Sequence, residues 1–203
     1  MQRFALLLDG GFVTKHLSPR GASPVTSADV LQLCERIEQR PDLADHVLLR
    51  RYFYDALPAS GSLVNPLDGK RTNLGATAVF ASQSALLDEV ELMRDTSLRR
   101  GDIAVRGWRI RAGALRAIAA TRRGLVAEDL VPHIEQKGVD LRIGLDIARL
   151  SLRRLVDTIV VVTGDSDMVP AFKFARREGL RVFLDHLGAP VRRELKAHVD
   201  RVL

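Results

Sequence analysis

The chain predicts an α/β fold with a mostly parallel sheet, and three observations lead there. Phe4 to Leu8 (FALLL) and Thr158 to Thr163 (TIVVVT) are continuously apolar or β-branched, the composition of strands buried on both faces. Leu180 to Leu184 (LRVFL) reads as a third strand. Between these runs apolar residues recur at helical spacing. Strands alternating with helices imply βαβ units and parallel neighbours.

Taken in order, FALLL is bounded by charge and glycine and ends at Asp9. Residues 26–39 are the first helix candidate. Val47 to Tyr54 predicts a strand whose polar content puts it nearer an edge. Residues 56–75 (ALPASGSLVNPLDGKRTNLG) mix Pro, Gly, Asn and Ser without periodicity. They predict a long irregular loop, of the kind that serves as a functional lid or is disordered. Residues 78–98 predict a helix, and Ile103 to Ile110 another strand near an edge. Leu141, Leu145, Ala148, Leu152 and Leu155 recur at spacings of four and three. They predict a helix with one apolar stripe facing the core and Arg142, Arg149 and Arg153 outside. Met168, Ala171, Phe172 and Ala175 repeat the pattern, with Lys173, Arg176 and Arg177 outside.

The 203 residues suffice for one substantial core and predict a single domain over 1–203. Apolar residues at 46% and charged residues at 28% exclude a disordered chain. Thirty-one Lys and Arg against 25 Asp and Glu leave a formal charge of +6, which favours an anionic partner such as nucleic acid. Cys34 is the only cysteine, so an internal disulfide and a cysteine-based zinc site are both excluded. A reducing cytoplasm is the expected compartment. No apolar run approaches membrane length, and the first is too short for a signal segment.

Asp9 follows the first strand directly, and Asp165 follows TIVVVT by two residues. Ligands of open parallel sheets bind outside the carboxyl ends of the strands. If the two strands are neighbours, their ends lie about 4.8 Å apart. Two carboxylates so close repel, and a raised pKa or a bound cation relieves them. Asp167 adds a third acid in the same turn. Asp140, in QKGVD, precedes the striped helix. Oxygen ligands of this kind suit Mg²⁺ or Mn²⁺ rather than zinc. Each acid also has a plainer reading. Gly164-Asp165-Ser166-Asp167 and Asp140 could be helix N-caps, and Asp9-Gly10-Gly11 a glycine turn. Asp146 lies about 240° round the helix from Asp140, four residues after Arg142 and three before Arg149. A surface ion pair is an equally good account of it.

The spacing of the acids resembles the NYN family of PIN-like nuclease domains, in particular the bacterial branch once grouped with LabA-type proteins. The matching stretches are LLLDGGF at 6–12, QKGVDLRIGLDIARL at 136–150 and TGDSDMVPAFKFARREGLRVFLDHLG at 163–188. The resemblance implies a Rossmann-like three-layer α/β/α sandwich with an acidic pocket at the strand ends. It implies metal-dependent cleavage of RNA, as an endoribonuclease using Mg²⁺ or Mn²⁺. By position, Asp9, Asp140, Asp165 and Asp167 match the family's acidic residues, and Asp146 matches a further Asp often found there. Many members have Asn where this chain has Phe12, and Phe where it has Met168.

On this reading Asp9 and Asp165 are direct metal ligands, and Asp140 and Asp167 complete the shell directly or through water. Lys137, Ser166 and Lys173 are candidates for contacting substrate, with Lys70 and Arg71 tracking the strand. The five histidines have no catalytic spacing. The arginine pairs at 50–51, 99–100, 122–123, 153–154, 176–177 and 192–193 read as solvated faces unless they cluster on one side. The partner expected is RNA, with no membrane, and a homodimer is compatible with the sequence. Two other functions fit less well. One is a non-catalytic RNA-binding or protein-interaction module that retains the fold. The other is a haloacid-dehalogenase-like phosphatase, whose strand and Asp-x-Asp motif VVVTGDSDMV resembles. That motif normally opens its domain, whereas only 36 residues follow Asp167.

Overall fold

The computed structural model describes residues 1–18 and 23–203. In chain order its strands are β1 (Gln2–Asp9), β2 (His46–Ala56), β3 (Ser62–Val64), β4 (Arg71–Asn73), β5 (Thr96–Ile110), β6 (Leu130–Lys137), β7 (Thr158–Val162), β8 (Arg181–Asp185) and β9 (Arg201–Val202). The α-helices are α1 (Gly10–Leu17), α2 (Ser27–Glu38), α3 (Ala78–Leu92), α4 (Ala114–Thr121), α5 (Val139–Leu152), α6 (Val169–Arg177) and α7 (Arg193–Ala197). Seven strands form one sheet in the order β6-β5-β2-β1-β7-β8-β9. Every pairing in it is parallel except β5 with β6. The predicted α/β class and mostly parallel sheet are observed.

Side chains alternate across the sheet, so β1 feeds two cores. Ala5 and Leu7 face α5 and α6, packing with Ile143, Ile147 and Phe172. Phe4, Leu6 and Leu8 face the other way, against Val13 of α1, Leu33 of α2 and Leu87 of α3. Helices therefore cover both faces, giving three layers. Burying both faces explains why β1 and β7 are apolar without alternation. Each such Leu, Ile or Phe contributes roughly 1.5–3 kcal/mol of transfer free energy.

Three expectations need correction. β2 is not near an edge but lies between β1 and β5. Its polar first half is only partly covered, while Tyr52–Ala56 are buried. Residues 56–75 are not an irregular loop throughout, because β3 and β4 pair there as an antiparallel hairpin. The hairpin docks through Trp108, whose indole N–H donates to the Val64 carbonyl at 2.9 Å. Asn65 adds a bond from Nδ2 to the Ala127 carbonyl at 3.2 Å. Finally, the stripe of α5 is out of phase. Val139, Ile143, Ile147 and Leu150 face the core, while Leu141, Leu145 and Leu152 are exposed. This helix is apolar on two faces, so periodicity alone does not choose between them.

β5 and β6 create the feature that distinguishes the carboxyl edge. The first part of β5 runs parallel to β2, with Ala56 opposite Gly101. Beyond it β5 continues and pairs antiparallel with β6, from Asp102 opposite Lys137 to Ile110 opposite Leu130. The strands thus project past the sheet as an arm that includes α4. β6 returns the chain to the edge, where α5 begins.

Candidate active site

β1 and β7 are neighbours, with Leu8 opposite Val162, so Asp9 and the Gly164–Asp167 turn emerge side by side. Asp9 caps α1, its Oδ1 accepting the Phe12 amide at 3.1 Å. Its Oδ2 accepts the Thr163 hydroxyl at 3.0 Å. Thr163 Oγ accepts the Asp165 amide at 3.1 Å, and Asp165 Oδ1 accepts the Asp167 amide at 2.9 Å. Capping is therefore real at Asp9 and Asp165, and both also stand at the edge where ligands bind. Asp140 is not a cap. Gly138, with φ 75°, occupies the cap position, and Asp140 follows in the first turn of α5.

Two glycines let these segments close up. A Cβ on Gly10 would sit 2.7 Å from the Tyr54 carbonyl oxygen and 2.9 Å from Asp55 Cβ. A Cβ on Gly164 would sit 2.5 Å from the Phe12 ring. Phe12, the departure from the family's Asn, thus lies over the Gly164–Asp167 turn. Its ring centroid is 4.1 Å from that of His16.

The acids act on one another. The Asp9 carboxyl is held above its ordinary pKa by burial, with the Asp165 charge adding to the effect and the Phe12 and Thr163 hydrogen bonds opposing it. Asp140 is raised by burial and then by the charges of Asp165, Asp9 and Asp167. Its neighbour Lys137, at the end of β6, is exposed and instead helps Arg106 hold Glu135 below the usual carboxylate range.

A fifth aspartate belongs here. Asp55 is the last residue but one of β2, beside the end of β1 at Asp9, and is only 1% exposed. Its Oδ1 accepts the Ala56 amide and Gln136 Nε2, both at 2.7 Å. Burial raises its pKa first, and Asp9 adds to that. The signal in the sequence is an Asp closing a strand, the same one that marks Asp9. Thr163 had a signal too, as the hydroxyl ending an apolar run.

The remaining candidates fall apart. Asp146 accepts Tyr54 Oη at 3.0 Å and Arg99 Nε at 2.9 Å. It pairs across to β5, not along α5 with Arg142 or Arg149. Ser166 begins the 3-10 turn beside Asp165. Lys173 lines a depression with Arg176, Arg181 and Asp200. Arg181 starts β8, so this surface is at the opposite edge from the aspartates. Most arginine pairs are held by acids: Arg51 by Glu38, Arg100 by Glu91, Arg123 by Asp129 and Arg176 by Asp200.

The donor set is compatible with a hydrated Mg²⁺ or Mn²⁺, which one or two carboxylates hold while water fills the remaining positions. Among the described residues no group of three or more His, Cys, Asp or Glu side chains is placed so as to hold a metal ion.

A three-layer α/β sandwich with aspartates ending adjacent parallel strands defines the class. Residues 103–202 match the family model of the NYN domain, and this stretch belongs to that family, within the PIN-like superfamily. The match includes Asp140 and the GDSD turn. The whole chain is also similar in fold to a crystal structure of a protein of unknown function from Vibrio parahaemolyticus. The two agree with a TM-score of 0.50 and 14% identity, over 100% of this chain and 91% of that one. At that identity the likeness is one of fold alone. No curated protein matches the chain. Among the described residues no helix is long and apolar enough to cross a membrane.

Proposed function

We propose that this chain is a metal-dependent ribonuclease that hydrolyses RNA phosphodiester bonds at Asp9, Asp140, Asp165 and Asp167. The observation behind this reading is that Asp9 and Asp165 emerge side by side from the paired strands β1 and β7, tied together through Thr163. Such a pair attracts a divalent cation, and NYN domains are generally nuclease-like.

Asp9 and Asp165, on adjacent strand ends, would hold Mg²⁺ or Mn²⁺ directly, with Asp140 and Asp167 acting through water. The bound cation neutralises phosphate charge and lowers the pKa of water. Thr163 fixes Asp9 by donating to Oδ2 and fixes the turn by accepting from the Asp165 amide. Asp140, exposed at the start of α5, accepts the proton from the attacking water. The oxygen of that water bonds to phosphorus, the P–O ester bond opposite breaks, and the departing oxygen takes a proton from solvent. Ser166 and Lys137 flank the cluster and contact the phosphate. Arg109, Arg111, Arg116 and Arg122 on the arm are exposed, and guide the flanking strand.

The test is incubation of labelled single-stranded and structured RNAs with the protein in Mn²⁺, Mg²⁺ or EDTA. Asp165→Asn should lose at least about 100-fold in rate, since it removes charge needed to hold the cation. Cleavage that survives both EDTA and the substitution rules the proposal out. RNA binding without any cleavage would instead favour a non-catalytic module.

A further inference from the structure

Beside the aspartates a cleft runs from α1 towards the arm. Its first part, about 320 Å³, is lined by Gly11, Asp55, Gln83 and Gln136 among others. Its second part, about 350 Å³, has apolar walls including Pro58, Phe80, Ile103 and Pro132. Val79, Gln83 and Gln136 line both parts, so the two adjoin. The cleft also adjoins the acids. A Cβ built on Gly11 would lie 3.4 Å from Gln136 Oε1 and 3.7 Å from Asp9 Oδ1. That amide oxygen and the Asp9 carboxylate therefore face each other across the space of one missing side chain.

The two glutamines are chemically oriented. Gln136 Nε2 donates to the Asp55 carboxylate at 2.7 Å. Gln83 Nε2 donates to the Ala56 carbonyl at 3.3 Å. Both partners are acceptors, so the nitrogen of each amide must face them and the oxygen must face away. Neither Oε1 accepts a hydrogen bond from any described residue. The cleft thus offers two positioned acceptors between apolar walls that include the aromatic side chain of Phe80. A flat heterocycle with two donors on one edge complements that arrangement, because aromatic faces stack any base and the acceptors choose among them.

We propose that this cleft is a nucleobase subsite that selects unpaired bases carrying an exocyclic amino group over uracil. The exocyclic amino group of adenine or cytosine supplies two N–H donors, and guanine presents its amino group beside N1–H, whereas uracil has one donor, at N3. The base occupying the cleft belongs to the strand whose phosphate lies at the aspartates, so the proposal rests on the ribonuclease reading above. A base-paired strand has its amino edge already engaged and is not accepted.

Binding without turnover tests it. Fluorescently labelled hexaribonucleotides of A, C and U are titrated with the full chain in EDTA, at fixed salt, and followed by anisotropy. A6 and C6 should bind about tenfold tighter than U6, the difference one further hydrogen bond makes. Gln83→Met and Gln136→Met should each reduce that ratio to within about twofold of unity. Phe80→Ala should weaken all three oligonucleotides while keeping their order, and thermal melts check that each variant folds. Equal affinity for the three, or a preference that survives both glutamine substitutions, overturns the proposal. Cleavage of a mixed-sequence RNA in Mn²⁺ is read in parallel. Preference without cleavage upholds the subsite and removes the nuclease reading, and cleavage without preference does the reverse.

Discussion

Asp140 illustrates how one residue can oppose stability and serve a site. Its carboxyl is raised by burial and by three other aspartates. A carboxyl with a raised folded pKa retains its proton in the native state after the unfolded chain has lost it. Native stability therefore falls as pH rises from about 3.9, the unfolded value, through the folded pKa. Asp140→Asn should stabilise the metal-free protein above that window and make no difference below it. Because Asp140 is exposed to solvent, the gain is at most about 1 kcal/mol. Urea melts of both proteins across pH 3 to 7 measure the difference, which cancels the opposite contributions of carboxyls held low elsewhere.

Phe12 and Gly164 form a second residue-scale pair. The Phe12 ring occupies the volume that a Cβ on Gly164 would need. Gly164→Ala should cost about 1–3 kcal/mol by overpacking. In a Phe12→Ala background most of that cost should vanish, and a double-mutant cycle reads the coupling. The same packing explains why the sequence alone did not disclose the role of Phe12. It replaces a polar residue but acts through its volume, and the neighbour that yields to it is a glycine far along the chain.

At the scale of elements, the arm concentrates basic charge. Residues 99–123 hold eight arginines and one acid, Asp102. Arg99, Arg106 and Arg123 pair with Asp146, Glu135 and Asp129. Among the described residues Arg109, Arg111, Arg116 and Arg122 have no ion-pair partner. Replacing Arg109 and Arg116 by Ala should weaken RNA binding and lower the salt slope by roughly 0.7 for each phosphate no longer neutralised. Titrations at several salt concentrations read that slope. The arm was only half legible beforehand. The second half of β5 was expected, but β6 was not, because LVPHIEQK lacks a buried apolar run and gains its strand state from pairing with β5. The hairpin of β3 and β4 escaped for the same reason, being three residues a side. By contrast β1 and β7 announced themselves, since burial on both faces leaves a continuous apolar signature.

For the molecule as a whole, a site that holds a cation must couple to global stability. A cation bound at 100 times its dissociation constant stabilises the native state by about 2.7 kcal/mol. For a chain of this size that raises Tm by roughly 5–10 °C. Mn²⁺ titrations followed by calorimetry should show this shift, and Asp9→Asn or Asp165→Asn should abolish it. The shift should shrink as pH falls towards 4, because protons and cation compete for the same carboxylates. Asp9, Asp140, Asp165 and Asp167 could be chosen in advance because each stands at an element end. Asp55 carried the same signal, directly after the expected strand Val47 to Tyr54, but only the pairing of β2 with β1 brings it beside Asp9.

Gly101, where β5 leaves the parallel sheet, faces the point where β6 rejoins it. A Cβ there would lie 2.9 Å from the Lys137 carbonyl oxygen and 3.5 Å from the Val139 amide. The outgoing and returning strands thus meet within one residue's width, and residues 102–137 form an excursion with a closed base. Such a segment is a replaceable cassette. Exchanging its outer part, between Val105 and Ile134, for another of different length or charge would keep Gln136 on Asp55 and both cores in place while changing the surface beside the aspartates.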